Sequence, residues 1–416
     1  MDYYITGYDI DCPQNAQRAV LEDSIMHKNR QVTAGSKIME NFISPLDATV
    51  VTRLEAAGIC ILGKTKMDEF GISELLLNSG LLMNSEFGIR NPEFCSGAVS
   101  AVADGIASFA LCNDFTGAIG REAAAHGVCY VHPTYGTVSR YGLIPAVPSM
   151  DQIGVICKTP ADGSRALSVI AGHDPKDGAM FSELKAECGE LNANGGRLKI
   201  GIPVNAVTNP ADMSIITEFI KNFETVDFEL KYLDVYAQVM QILCCAELSS
   251  NITRYDGIKF GYRAEGYKSL RELYTKSRTE ALGEGAKLVS IIGSMVLSQE
   301  SYIRCYDKAM RIRRLIKESL EFDKYDAIII PAFTKFGIRN SEFGIDCECK
   351  TEDDGERSNI VSPRKAEEPS HCFPCFLPML CGLPAVTVPF NGGGFTLIAD
   401  VKCENVLFSA LEAVGI

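Results

Sequence analysis

Hydrophobic and polar positions along this chain change rhythm several times. From Asp47 to Gly58 the apolar residues recur at helical spacing, which predicts a helix ended by Gly58. Ile59-Cys-Ile-Leu62 is a short continuous apolar run, predicting a buried strand closed by Gly63-Lys64. Helix, glycine and apolar strand in succession is the rhythm of βαβ units and predicts a mostly parallel sheet. Further apolar runs predict strands at Lys199–Pro203, Ala327–Pro331, Ala385–Pro389 and Phe395–Ala399, with a turn at Gly392–Gly394. Gly97 to Leu111 is rich in Ala, Val and Ser, small enough to pack closely on a sheet, and Ala166–Ala171 predicts a buried helix. From Asp212 to Leu320 the pattern is helical, with Ser301–Leu320 carrying Arg and Lys on a solvated face. The first 25 residues are poorly patterned, and residues 335–371 are polar and aperiodic, as in a long surface loop or insertion. A final helix closes the chain. No internal repeat is evident, and residues 1–416 are taken as a single domain.

Composition narrows the function classes. The 416 residues are 46% hydrophobic and 22% charged, so a sizeable core is available without covalent staples. The net charge of −13 argues against direct grip on a phosphate backbone; any RNA would be held by a partner. The 16 cysteines are scattered and are expected to be reduced thiols. The segment MDYYITGYDIDCP lacks the basic and apolar regions of a secretory leader, and no apolar run reaches membrane-span length, so a soluble cytoplasmic protein is expected.

Six ordered blocks carry a stronger signal. They are GKTKMDEF (63–70), HPTYGTVSRYGLIP (132–145), SMDQIG (149–154), AGHDPKD (171–177), SSNITRYDGIKFGY (249–262) and GLPAVTVP (382–389). Together they resemble the amidase-signature family, and within it the A subunits of tRNA-dependent amidotransferases. The resemblance implies an α/β/α domain around a large mixed sheet covered by helices. It also implies amide hydrolysis by a serine nucleophile, a second serine with an unusual cis backbone, and a lysine base, with backbone N–H groups of a Gly-rich loop holding the oxyanion. The family has several helices before its lysine motif where this chain has about 20 residues, so a partner is expected to cover that side of the sheet.

At the positions that carry this chemistry the chain departs from the family. The lysine motif aligns with Leu21-Glu22-Asp23-Ser24, placing Glu22 at the base. The bridging serine aligns with Phe94, in a shortened Asn91-Pro-Glu-Phe-Cys-Ser-Gly-Ala98 segment. The nucleophile loop reads Asp114-Phe115-Thr116-Gly117-Ala118-Ile119-Gly120, with Ala118 at the nucleophile and Phe115, Thr116 and Gly117 forming a degenerate oxyanion loop. An alanine cannot attack a carbonyl, a phenylalanine has no hydroxyl, and a carboxyl cannot play the part of a neutral amine. The glutamine-holding charges implied by the resemblance are also absent: Lys287–Gly293 has no Arg, and Cys372 stands where the Asp is expected.

Three functional expectations follow. The first is a non-catalytic paralogue serving as a scaffold or regulatory subunit. Its expected partners are amidotransferase B/C-like subunits or a catalytic A subunit, with no direct nucleic-acid or membrane contact. The second is an amide hydrolase with a rebuilt nucleophile, Cys95 or Thr116, in the first case as a Cys–His pair with His126 or His132. The third is an interaction module stabilised by zinc on Cys347, Cys349, Cys372 and Cys375, whose alternative is chance clustering in a thiol-rich chain; no other cofactor is expected. Lys64, Asp68, Glu69, Arg140, Tyr141, Asp151 and Gln152 are expected to cap, buttress and orient loops, and Gly117 to make a tight turn.

Overall fold

The computed structural model describes residues 4–8, 12–13, 15–78, 96–182, 198–334 and 374–416. In its first half β1 (Tyr4–Gly7) and β2 (Arg18–Glu22) precede α1 (Thr49–Ala56), β3 (Cys60–Thr65), α2 (Ser73–Asn78) and α3 (Gly97–Ala103). Next come β4 (Phe109–Asn113), α4 (Ala118–Ala125), β5 (Cys129–His132), β6 (Ile153–Cys157) and α5 (Pro160–Ile170). In the second half β7 (Lys199–Pro203), α6 (Pro210–Ile220) and β8 (Glu224–Phe228) lead into α7 (Tyr236–Ile252), α8 (Leu270–Ala281), α9 (Glu284–Val296) and α10 (Lys308–Glu318). The chain then forms β9 (Ala327–Thr334), α11 (Leu377–Cys381), β10 (Ala385–Phe390), β11 (Gly393–Ala399) and α12 (Glu404–Glu412).

The described strands form one 11-stranded sheet in the order β1-β3-β2-β4-β6-β5-β10-β11-β9-β7-β8. The α/β class and the large mixed sheet are as expected. Parallel pairing does not dominate, however. The β2–β3, β2–β4, β7–β8 and β7–β9 pairs are parallel, while β1–β3, β4–β6, β5–β6, β5–β10, β10–β11 and β9–β11 are antiparallel. The βαβ rhythm near α1 is local, and hairpins such as β10–β11 reverse direction elsewhere.

Strand alternation distributes the core over two faces. Ala19, Leu21, Phe109 and Leu111 pack with Val50, Val51 and Leu54 of α1 and with residues of α5, α6 and α12. Val20, Ala110 and Cys112 point the other way, onto Ala98, Val99, Ala101 and Val102 of α3 and Ala123 of α4. Beside that cluster, α7 and α9 pack with Ile328 and Ile330 of β9. Their approach is close: a Cβ on Gly293 of α9 would lie 2.1 Å from the Cys245 carbonyl oxygen. Several helix starts follow from side-chain caps. Thr159, Asn209 and Ser269 accept from backbone N–H groups at the starts of α5, α6 and α8, and proline opens the first two of these helices.

Several local expectations need correcting. Gly63-Lys64 does not end β3; Lys64 and Thr65 continue it, pairing beside Leu21 and Glu22. The poorly patterned N-terminal region supplies β1 and β2, and β8 interrupts the stretch expected to be helical. β8 is mostly exposed or half-buried, so its residues lack the apolar signature of a core strand. Ser301–Leu320 contains a π-helical turn, Ile303–Asp307, before α10. Cys12 and Cys60 form a disulfide, contrary to the expectation of thiols throughout. Residues 335–371, expected to be a loop, lie outside the described residues. Among the described residues no helix is long and apolar enough to cross a membrane.

Candidate functional site

Of the residues singled out by sequence, Glu22, Phe115, Thr116, Gly117 and Ala118 lie where β2 and β4 end and α4 begins. Glu22 closes β2, on the same face as Val20 by strand alternation, and is 3% exposed. Its Oε1 accepts from the Ser24 hydroxyl and, at 3.2 Å, from the Asn113 backbone N–H. Burial pushes the Glu22 carboxyl up to about 8, further raised by Asp68 and Asp114 and opposed by the two hydrogen bonds. At neutral pH this group is predominantly a neutral acid.

Lys64 lies beside it in β3 and is fully buried. Its Nζ donates to the Glu22 carbonyl at 3.0 Å and to the Ile25 carbonyl. Burial lowers the Lys64 ammonium to about 8, while Asp23 and Glu22 oppose that shift. Asp23 is itself raised by burial, and Lys64 is the largest influence holding it down. Its Oδ2 also accepts from the Thr33 N–H at 2.8 Å. Lys64 thus ties the end of β2 to the following loop as a strand-embedded donor. The sequence reading gave it a structural role, and its contacts fit that role.

Across from Glu22, Asp114 folds its carboxylate into the loop that opens α4. Asp114 Oδ1 accepts from the Thr116 N–H at 3.0 Å, the Gly117 N–H at 2.7 Å and the Thr116 hydroxyl at 3.3 Å. The Ala118 N–H donates in turn to Thr116 Oγ1 at 3.4 Å. Two loop amides and the first amide of α4 are therefore engaged within the loop. Burial lifts Asp114 to about 6 against these hydrogen bonds. Gly117 has φ +76°, and a Cβ there would lie 2.6 Å from the Cys375 carbonyl oxygen, so this tight turn requires glycine. Ala118 is the first residue of α4. Gly120 faces β10, where a Cβ would meet Thr387 Oγ1 at 2.7 Å.

Phe115 is 2% exposed. It fills the space between Ser24, Phe70, Gly71, Asn113 and Ile144 and leaves a cavity of only about 10 Å³. That is room for about one water. Phe94 and Cys95 lie outside the described residues, as do Cys347, Cys349 and Cys372 of the sulfur cluster. Cys375 is placed beside the α4 loop, and burial raises its thiol. Among the described residues no group of three or more His, Cys, Asp or Glu is arranged to hold a metal. His126 Nδ1 faces the Glu122 carbonyl at 2.9 Å, and His132 lies 3.4 Å from the Tyr130 hydroxyl. Burial lowers His132 to about 4, so it is neutral across the ordinary pH range.

The surrounding polar residues have structural partners. Asp68 accepts from the Ser73 N–H at 2.7 Å at the start of α2, and Glu69 accepts from the Gly283 N–H at 3.1 Å. Arg140 makes a two-pronged contact with Asp177 at 3.0 Å and donates to the Tyr135 hydroxyl at 2.8 Å. Asp151 accepts from Asn113 Nδ2 and from the Ala146 and Val147 N–H groups, and burial lifts it to about 6. Gln152 accepts from the Gly136 N–H at 3.4 Å. The roles of Ser24 and Asn113 had no sequence signal, because their relevance depends on the β2–β4 juxtaposition.

A family model described as Amidase matches residues 19–349. The chain belongs to the amidase-signature family. Among curated members of this family, the glutamyl-tRNA(Gln) amidotransferase A subunit of Lachnoclostridium phytofermentans is 37% identical over 345 residues, covering 78% of this chain and 69% of the relative. The protein of the same name from Halothermothrix orenii is 37% identical over 330 residues, covering 75% of this chain and 68% of the relative. The crystal structure of the Thermotoga maritima glutamyl-tRNA(Gln) amidotransferase A subunit superposes with a TM-score of 0.67 at 24% identity, covering 99% of this chain and 87% of the other. The native peptide amidase of Stenotrophomonas maltophilia superposes with a TM-score of 0.65 at 22% identity, covering 95% and 81%. At these identities the structural likenesses establish the fold of this amidase-family chain.

Proposed function

We propose that this amidase-family chain is a non-catalytic counterpart of the A subunits of amidotransferases, with a scaffold or regulatory role. The observation that carries this reading is the head of α4. A methyl group at Ala118 stands at the position aligned with the nucleophile, and the loop amides before it are bound by Asp114. Glu22, at the position aligned with the lysine base, is buried and protonated near neutrality. Gly120 stands where the aligned loop has Arg, and α4 packs too closely on Thr387 to readmit a side chain there. Members of a catalytic unit act together, so replacing one position should not restore turnover.

The curated relatives are amidotransferase A subunits by name, which supports partners of the amidotransferase B and C type, or a catalytic A subunit. The net charge of −13 favours leaving any RNA contact to such a partner. The second reading, a nucleophile at Thr116, is disfavoured by its hydroxyl being held between Asp114 and the Ala118 N–H.

The full chain incubated with glutamine, asparagine and simple amides should release no ammonia above background, and Ala118→Ser should release none either. The same chain should co-elute with amidotransferase B and C subunits or with a catalytic A subunit from the same cell. Ammonia release by the unmodified chain overturns the non-catalytic reading. Failure to associate with any of those subunits overturns the scaffold reading.

A further inference from the structure

A second concavity lies away from the β2–α4 site. It is a cleft of about 430 Å³ between α10, the end of α11 and the loop carrying Tyr135 and Ser149. That volume falls within the usual range for small-molecule sites. Its walls are apolar where Tyr135, Phe181, Leu380 and Val401 line it, and cationic where α10 presents Arg313, Arg314 and Lys317.

The three cations differ in how they are held. Arg313 is half-buried and anchored by neutral acceptors: Nε donates to the Leu380 carbonyl at 2.6 Å, Nη1 to the Ser149 hydroxyl at 2.9 Å and Nη2 to the Ser149 carbonyl at 2.9 Å. Ser149 in turn donates from its N–H to Glu247 at 2.9 Å and from its hydroxyl to the same carboxylate. Glu247 therefore sits behind Ser149, and no described carboxylate forms an ion pair with Arg313. Lys317 is exposed and likewise has no ion-pair partner among the described residues. Arg314 pairs with Glu318 at 2.6 Å on an exposed surface, a contact a competing anion can displace at little cost. Lys402 adds a fourth cation near the rim, its ammonium 4.3 Å from the centre of the Phe181 ring.

In a chain with a net charge of −13, an apolar cleft with a pre-set guanidinium and an unmatched ammonium marks a local reversal of sign. We propose that this cleft binds a small organic anion. Its phosphate or carboxylate head lies against Arg313, Arg314 and Lys317, and its apolar body against Tyr135, Phe181 and Leu380. The site is separate from the β2–α4 region and does not depend on whether that region is catalytic.

Titration of the full chain with 1-naphthyl phosphate and with 1-naphthylacetate tests this and separates the two head groups. At least one of these anions should bind saturably, with Kd below about 1 mM. Neutral 1-naphthaleneethanol should bind about tenfold more weakly or not at all. The double substitution Arg314→Glu with Lys317→Glu should weaken binding by about tenfold or more, while Lys221→Glu at the end of α6 should leave it unchanged. Should the double variant lose its cooperative melting transition, Lys317→Ala provides the second variant, and raising NaCl should weaken binding by the native chain. Absence of saturable binding by both anions, equal binding of the neutral alcohol, or an equal loss in Lys221→Glu would overturn the proposal.

Discussion

The β2–α4 region and the α10 cleft present opposite solutions to the same problem of polar groups in a concave surface. At β2–α4 the polar groups face one another. Asp114 takes the loop amides, Ser24 and Asn113 take Glu22, and Lys64 takes two carbonyls. Phe115 is buried beside them and lines a cavity of only about 10 Å³. At the cleft the cavity stays open and Arg313 is braced by neutral acceptors, so its charge remains available. The difference shows that one fold can treat its polar groups in opposite ways in two places. Internal hydrogen bonding can close one recess while another retains volume and charge.

The largest effect should come from reopening the closed recess. Phe115→Ala should destabilise the chain by about 3–5 kcal/mol in denaturant unfolding, as expected when a buried aromatic is truncated. A cost below about 1 kcal/mol would mean that Phe115 does not fill the recess as described.

Next in size is the carboxyl that burial keeps protonated. The folded-state value for Glu22 of about 8 lies above its ordinary value of 4.5. The folded chain therefore holds a proton that the unfolded chain has released through this window, and stability should fall as pH rises from about 4.5 to about 8. Glu22→Gln removes that proton linkage. It should stabilise the chain relative to the native sequence by about 1–3 kcal/mol more at pH 8 than at pH 5. Parallel stability–pH curves for the two proteins would show that Glu22 does not titrate in this way.

The smallest stability effect should be at the cleft. Lys317→Ala should change unfolding free energy by no more than about 0.5 kcal/mol, because the residue is exposed and unpaired among the described residues. A large loss of stability there would erase the contrast, making Lys317 part of the framework like Lys64.

The sequence made much of the framework legible. Lys199–Pro203 is the strand its apolar run predicts, Gly58 follows α1 with φ +71°, and the Ala385–Ala399 stretch is the expected pair of strands around a turn. These features are local, because periodicity and turn chemistry act over a few residues. β2 was missed, although Ala19, Val20 and Leu21 are fully buried, because the short run sits in an otherwise poorly patterned stretch. β8 was missed because only Val226 and Phe228 are apolar and both are half-buried, which gives little strand signal inside a stretch of helical pattern.

The sequence by itself determined that Ala118 carries no hydroxyl, that Glu22 is an acid, and that the chain has the blocks of an amidase fold. Only the tertiary structure decided that Glu22 holds its proton, because that depends on removal from water and on charges contributed by Asp68 and Asp114. It also decided that Asp114 occupies the loop amides, that Cys12 meets Cys60, and that residues from Tyr135 to Val401 enclose one cleft. Residue chemistry is fixed position by position along the chain. Burial, pairing and enclosure depend on segments brought together by packing.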